Sequence, residues 1–293
     1  VTGPVHAFAD EAAAAGRLAD ALGVGLGLVS VHRFPDEETL PTVPEAGATV
    51  IVYRSLDRPN PKLMPLLQAC DAWRRAGVQR LVLVAPYMSY LRQDKVFAPG
   101  QPLSRDVMGD LLARRFDRIV TVDPHLHRTP DLSAAWGVPV TVLSAAPVLA
   151  SALADGGATL VVGPDVEAGP WAAAVAAELR TPHLTLQKSR HGDRDVRISL
   201  ADPSAVEGQA VALADDVCSS GSTLARAVEL LLKAGAASVE VAVTHALMED
   251  GAMARLRDAG ASRVVSTDSC IHPTNAAPLA DLLAAALREE LTP

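Results

Sequence analysis

Ala210-Val211-Ala212-Leu213-Ala214-Asp215-Asp216-Val217-Cys218-Ser219-Ser220-Gly221-Ser222-Thr223 runs on without a break into Leu224–Ala234. Five apolar residues, two acids, a turn of small residues and then apolar positions at helical spacing predict a buried strand over Ala210–Ala214. A helix then begins near Ser222. The same alternation extends outward in both directions. Thr49–Tyr53, Leu81–Ala85, Ile119–Val122, Val138–Leu143, Leu160–Val162, Val239–Val243 and Val264–Ser266 read as further buried strands. Helical spacing marks Lys62–Ala76, Leu103–Phe116, Pro170–Leu179, Gly251–Ala259 and Ala276–Leu291. Strands alternating with helices imply an α/β protein of mostly parallel sheets covered on both faces. Two such series predict two halves, 1–144 and 145–293, joined near Ser144–Ala146. In open parallel sheets ligands sit beyond the carboxyl ends of the strands, so chemistry is sought just after each apolar run.

The chain has 293 residues, enough for one large or two ordinary domains with a real core. Apolar residues at 49% and charged residues at 20% suit a soluble enzyme. With aromatics at only 3%, alanine, valine and leucine must fill the interior. A net charge of -8 argues against nucleic acid as a partner, because such binding relies on phosphate contacts. It leaves room for a local basic pocket. Cys70, Cys218 and Cys270 are odd in number and far apart, which excludes a disulfide framework. No signal peptide is visible, and no apolar run approaches the ~18 residues that span a bilayer. A cytoplasmic protein without a membrane partner is expected.

A phosphate needs backbone N–H and hydroxyl donors and no bulky side chain in its way. Ser219, Ser220, Gly221, Ser222 and Thr223 meet these needs at a helix N-terminus, where the dipole favours an anion. Asp215 and Asp216 can accept hydrogen bonds from vicinal sugar hydroxyls or hold a metal through water. A plain helix cap with two solvated aspartates is the simpler alternative. The paired acids directly after a buried strand favour a sugar-phosphate site.

Ala212–Ala236 resembles the phosphoribosyl diphosphate-binding motif shared by type I phosphoribosyltransferases and ribose-phosphate pyrophosphokinases. Serines stand at three positions of the usual acid-or-serine, threonine, glycine, glycine, threonine run: Ser219, Ser220 for threonine, and Ser222 for the second glycine. The N-terminal half resembles the pyrophosphokinases in particular. Phe34-Pro35-Asp36-Glu37-Glu38 is similar to their FxDGE segment, with Glu37 for glycine. Phe34, Asp36 and Glu38 are thereby assigned to an ATP site shared with a neighbouring subunit. Pro86–Lys95 resembles PYxxYxRQD and assigns Arg92, Gln93 and Asp94 to ATP. Asp123-Pro124-His125 resembles VDxH and places His125 near the ATP phosphates and a magnesium ion. The His125-Leu126-His127 pair also admits zinc, but no further ligand cluster accompanies it.

Gly163-Pro164-Asp165 resembles SPD, whose aspartate helps hold a metal-bound substrate; on its own Asp165 reads as a helix cap. Glu167, Ala168 and Trp171 depart from the bacterial pattern and suggest a divergent or archaeal-like branch. Lys188-Ser189-Arg190 resembles the Lys-x-Arg pair on a mobile hairpin, which makes Lys188 and Arg190 the catalytic cations; on its own it reads as an exposed basic turn.

The resemblance spans nearly the whole chain. It implies two phosphoribosyltransferase-like domains, the first on the ATP side and the second on the ribose 5-phosphate side. The implied reaction is magnesium-assisted transfer of the diphosphoryl group of ATP to the C1 hydroxyl of ribose 5-phosphate, in a homodimer or hexamer. Asp215, Asp216, Ser219, Ser220, Gly221, Ser222 and Thr223 are its ribose 5-phosphate residues. A diphosphokinase for a modified sugar phosphate, a type I phosphoribosyltransferase and a non-catalytic synthetase-associated subunit are the other readings.

Overall fold

The computed structural model describes residues 2–126, 129, 131–190 and 196–291, with the backbone alone at 2–4, 188–190 and 196–197. The chain divides into two compact units, Val1–Leu143 with Leu279–Pro293, and Ser144–Pro278. Each is a sheet flanked by helices.

The first unit contains β1 (Thr2–Phe8), α1 (Ala12–Leu22), β2 (Leu26–Arg33), β3 (Thr39–Thr42), β4 (Thr49–Tyr53), α2 (Pro59–Arg75) and β5 (Arg80–Val84). It continues through α3 (Ser104–Ala113), β6 (Arg118–Val122), α4 (Leu132–Trp136) and β7 (Val140–Leu143). The strand order is β3-β2-β1-β4-β5-β6-β7, and β3 alone runs antiparallel to its neighbour. Val50, Val52, Leu81 and Leu83 are fully buried, as continuous apolar runs must be when helices cover both faces.

The second unit contains α5 (Ala146–Leu153), β8 (Leu160–Gly163), α6 (Gly169–Leu179), β9 (His183–Thr185), β10 (Gln187–Arg190) and β11 (Val196–Ser199). Then follow β12 (Ala210–Cys218), α7 (Ser222–Lys233), β13 (Ser238–Ala246), α8 (Ala252–Asp258), β14 (Arg263–Thr267) and β15 (Asn275–Ala277). Its main sheet has the order β15-β14-β13-β12-β8-β9, all parallel, and β10 with β11 forms a separate antiparallel hairpin. Helix α7 shows why the local sequence folds as it does. Leu224, Ala225, Ala227, Val228 and Leu231 share one buried stripe.

Both sheets reverse their order of growth once. In the first unit the chain moves outward from β1 to β2 and β3, then returns on the other side of β1 as β4. In the second it moves from β8 to β9 and returns as β12. Such reversals open a crevice at the strand carboxyl ends.

Three features depart from the sequence expectation. The helix expected over Ala276–Leu291 is split into β15 and α9 (Ala280–Leu287), with Pro278, which has no N–H to donate, between them. This closing segment belongs to the first unit, where α9 packs against α1 and β7. Glu290 fixes it there. Arg80 Nε and Nη2 donate to its two carboxylate oxygens at 2.6 and 2.8 Å, and Arg118 Nη1 donates at 2.9 Å. Strands β1, β2 and β3 lack the apolar runs that marked the others. β1 carries glycine, proline and histidine, and β2 is mostly exposed.

That histidine has a thermodynamic consequence. His6 is fully buried, and its Nδ1 accepts the Trp73 Nε1 proton at 3.1 Å. Burial pushes the imidazole down from 6.5 to about 4. Between those values the unfolded chain binds a proton that the folded chain refuses. Stability is therefore complete above pH 6.5 and falls by about 3 kcal/mol as the pH drops toward 4. Denaturant titrations at pH 7 and pH 4.5 should show this loss. His6→Asn, whose amide oxygen can still accept from Trp73, should show a shallower one.

Candidate active site

The crevice of the second unit is built on β12. This strand does not end at Ala214, as the acids suggested, but continues to Cys218, paired with β13 as far as Cys218↔Ala246. Asp215 and Asp216 therefore stand on the sheet itself. Asp216 is buried, and its N–H donates to Asp215 Oδ1 at 2.9 Å. The Asp215 carboxyl is raised well above its ordinary value, first by burial and then by the charges of Asp216 and Asp165. Asp165 reaches the same crevice from the turn after β8. Its Oδ1 accepts the N–H groups of Glu167 (3.1 Å) and Ala168 (3.2 Å), so it also caps the entry to α6. The capping reading of Asp165 is the one these hydrogen bonds express.

Among the described residues no group of three His, Cys, Asp or Glu side chains converges closely enough to enclose a metal ion. The carboxylates that repel one another here still suit magnesium, which keeps several waters and uses one or two carboxylates plus substrate phosphates.

The small-residue loop follows at once. Gly221 has φ 71° and caps α7. A Cβ there would lie 3.4 Å from the Ala252 carbonyl oxygen, so both conformation and space call for glycine. Ser220 Oγ accepts the Ser222 N–H at 3.3 Å and lies 3.2 Å from Ser222 Oγ. The serine that stands for a glycine thus turns to its neighbour within the loop. Gly221 has no side chain with which to cap α7, so apart from the Ser222 N–H the leading donors of the helix are left for an anion. Beneath the loop, burial pushes the Cys218 thiol up to about 12, which makes it unreactive.

Lys188 and Arg190 lie on β10, where Lys188 pairs with Ile198 and Arg190 with Val196. Their side chains, and residues 191–195 of the hairpin tip, lie outside the described residues.

In the first unit the ATP candidates occupy three loops at strand carboxyl ends. Phe34–Glu38 is the turn between β2 and β3, closed by Phe34 N–H to the Glu38 carbonyl at 2.8 Å and Glu37 N–H to the Phe34 carbonyl at 3.0 Å. Glu37 has φ 72°, so it adopts the conformation natural to glycine, and the turn is kept. Phe34 is 39% exposed and meets His32 edge-on at 4.5 Å. Asp36 and Glu38 are exposed.

After β5, Arg92 is exposed, Asp94 is buried, and the Gln93 side-chain oxygen accepts the Ser104 hydroxyl at the start of α3. Asp94 therefore has a structural place beside any role toward ATP, while Arg92 faces solvent. His125 is half-buried beyond β6, next to Asp123, which has φ 37°. His127 lies outside the described residues.

The crossover of the first unit holds a network that the sequence reading missed. Lys62 Nζ donates to Glu11 Oε1 (2.9 Å), the Ser55 carbonyl (2.9 Å) and Asp57 Oδ1 (2.5 Å). Arg54 Nη1 donates to Asp10 (2.6 Å) and Glu11 (3.2 Å), and its guanidinium lies 4.2 Å above the Phe8 ring. Burial raises the Glu11 carboxyl, and Arg54 and Lys62 offset only part of that rise. Helix α2 begins with Pro59 and has Pro61 two residues later, so N–H donors are missing where α7 offers them. Arg54 directly after a buried strand was the one visible signal.

Two family models match successive parts of the chain. A family model described as the N-terminal domain of ribose phosphate pyrophosphokinase matches residues 6–115, and one described as the phosphoribosyl transferase domain matches 145–281. A ribose-phosphate pyrophosphokinase of Methanopyrus kandleri is 34% identical over 88% of this chain and 89% of its own. One of Halobacterium salinarum is 35% identical over 92% and 96%. The crystal structure of phosphoribosylpyrophosphate synthetase from Mycobacterium smegmatis superposes with a TM-score of 0.83 at 27% identity, covering 98% of both chains.

Two substitutions test the electrostatics and strain. Glu37→Gly should keep the turn and raise stability by up to about 1 kcal/mol, because relief of a left-handed residue exceeds the added chain entropy; equilibrium denaturation measures it. Asp215→Asn should raise the melting temperature of the ligand-free protein at neutral pH. The benefit should shrink as the pH falls through the raised folded value, where wild-type Asp215 is itself protonated.

Proposed function

The chain belongs to the ribose-phosphate pyrophosphokinase family, and on that premise we propose that it transfers the β,γ-diphosphoryl group of ATP to the C1 hydroxyl of ribose 5-phosphate. The observation that carries the reading is the crevice of the second unit. There a strand bearing two acids runs within five residues into a serine-glycine cradle at a helix N-terminus.

The C1 oxygen attacks the β-phosphorus, the bond from that phosphorus to the α,β-bridging oxygen breaks, and AMP leaves with it. The hydroxyl proton passes to solvent, and the sugar becomes phosphoribosyl diphosphate. Catalysis of this kind rests on positioning and charge stabilisation, with no covalent nucleophile. Asp215 and Asp216 accept hydrogen bonds from the ribose hydroxyls, and Ser219–Thr223 hold the 5-phosphate. Lys188 and Arg190 stabilise charge on the transferred group. Arg92, Gln93 and Asp94 bind ATP, and Phe34 stacks on its base while Asp36 and Glu38 accept from it. Magnesium, when bound, would screen the phosphate charges; His125 is the candidate metal contact of the first unit and Asp165 that of the second.

Phe34 sits on a hairpin whose outer residues Leu28, Val31 and Leu40 are also exposed. Apolar exposure of this kind supports a homo-oligomer that completes the ATP site across an interface. No helix among the described residues is long and apolar enough to cross a membrane, and a cytoplasmic enzyme is the reading that the composition favours.

Purified protein with ATP, magnesium and ribose 5-phosphate should release AMP and phosphoribosyl diphosphate in equal amounts. Binding of the sugar without either product would refute the assignment. Lys188→Ala should lower kcat by orders of magnitude and leave the ATP dissociation constant near normal; weakened ATP binding at unchanged kcat would remove Lys188 from the catalytic role.

A further inference from the structure

Charge at the second crevice does not balance. Asp165, Asp215 and Asp216 bring three carboxylates together, and residues 215–223 contain no cation. A sugar phosphate adds about two more negative charges near neutral pH. The dipole of α7 offers only about half a positive charge at its N-terminus.

Helix α8 and the turn before it stand behind the loop. The Glu249 N–H donates to the Ser219 carbonyl at 3.1 Å, and Ala252 packs where a side chain at Gly221 would go. One turn further along α8, Arg255 Nη1 donates to the Ser220 carbonyl. The planar peptide between Ser220 and Gly221 is thereby held from its carbonyl side. Arg255 is exposed, and its other side-chain N–H donors have no partner among the described residues. A guanidinium has five such donors, so most of its capacity is uncommitted. Its charge also reaches the floor of the loop, where it counteracts the rise that burial imposes on the Cys218 thiol.

We propose that Arg255 is a phosphate-binding residue of this site: it locks the Ser220–Gly221 peptide and supplies the positive charge that the 5-phosphate of the sugar meets at the loop. The inference rests on the sugar-phosphate reading of that loop, and it explains how a cradle of neutral hydroxyls beside three acids can hold a dianion. An arginine that served the loop only as a brace would not need to be charged.

The test compares Arg255→Ala, Arg255→Lys and Arg255→Gln with the wild type, each first shown to be folded by its melting temperature. Arg255→Ala should raise KM for ribose 5-phosphate about tenfold or more, with kcat within about threefold and KM for ATP unchanged, as expected for loss of a charge-assisted hydrogen bond. Arg255→Lys should recover most of the loss. Arg255→Gln, which keeps a donor for the Ser220 carbonyl without the charge, should not. An unchanged KM in Arg255→Ala overturns the proposal, and so does full recovery in Arg255→Gln. If the wild type makes no phosphoribosyl diphosphate, the reaction assignment fails separately. Calorimetric titration of ribose 5-phosphate into the wild type and Arg255→Ala then still reads the role of Arg255, and equal affinities would sink it. Absence of any ribose 5-phosphate binding to the wild type overturns both.

Discussion

Asp215 and Asp216 stand on a strand that is anchored between two neighbours up to Leu213 and stays paired with β13 as far as Cys218, and this constraint governs the chemistry of the second unit. A backbone held in that way has little freedom to separate its charges. Burial first, and then the charges of Asp216 and Asp165, hold the Asp215 carboxyl above its ordinary value. The same rigidity sets the distance from acids to cradle. Because β12 runs to Cys218 and Gly221 turns sharply into α7, the spacing between the two acids and the serine-glycine turn is fixed by backbone alone. The proposed ligand, with hydroxyls at one end and an anion at the other, matches that spacing.

The first unit meets the same topology with the opposite outcome. Its crossover also gathers acids after a strand, and its helix also begins from a left-handed residue, Arg58. There Lys62 donates to three oxygens that would otherwise need an outside cation, and the prolines of α2 remove the donors an anion would need. One sheet plan therefore yields one crevice whose acids have no lysine among them and one bridged by its own ion pairs. Fold alone does not distinguish them; the residues at the strand ends do.

What could be read in advance follows from the range of each interaction. Buried parallel strands such as Thr49–Tyr53 announce themselves by apolar runs, and the Ser219–Thr223 cradle by its composition. Acids look like strand terminators, which is why β12 was expected to stop at Ala214. β1 was hidden by Gly3, Pro4 and His6, residues that strands disfavour, and held in place by pairing on both sides. The Glu11–Arg54–Lys62 network and the Arg80–Glu290 pair join residues far apart in sequence, so no local pattern records them. Arg255 belongs to the same class: on α8 it is one arginine of two in a helical turn, and only folding brings it to Ser220. Glu37 shows the reverse case, a residue that seemed to break a turn but takes the backbone angle the turn requires.

The closing segment held by Glu290 bears on how the protein is made. The second unit is continuous in sequence, whereas the first is completed by Leu279–Pro293, which emerges from the ribosome after every residue of the second. The usual order, with the N-terminal unit folding first during synthesis, is therefore unavailable. The surface of the first unit that α9 covers therefore stays uncovered, and Arg80 and Arg118 lack the carboxylate of Glu290, until every residue of the second unit has been synthesised.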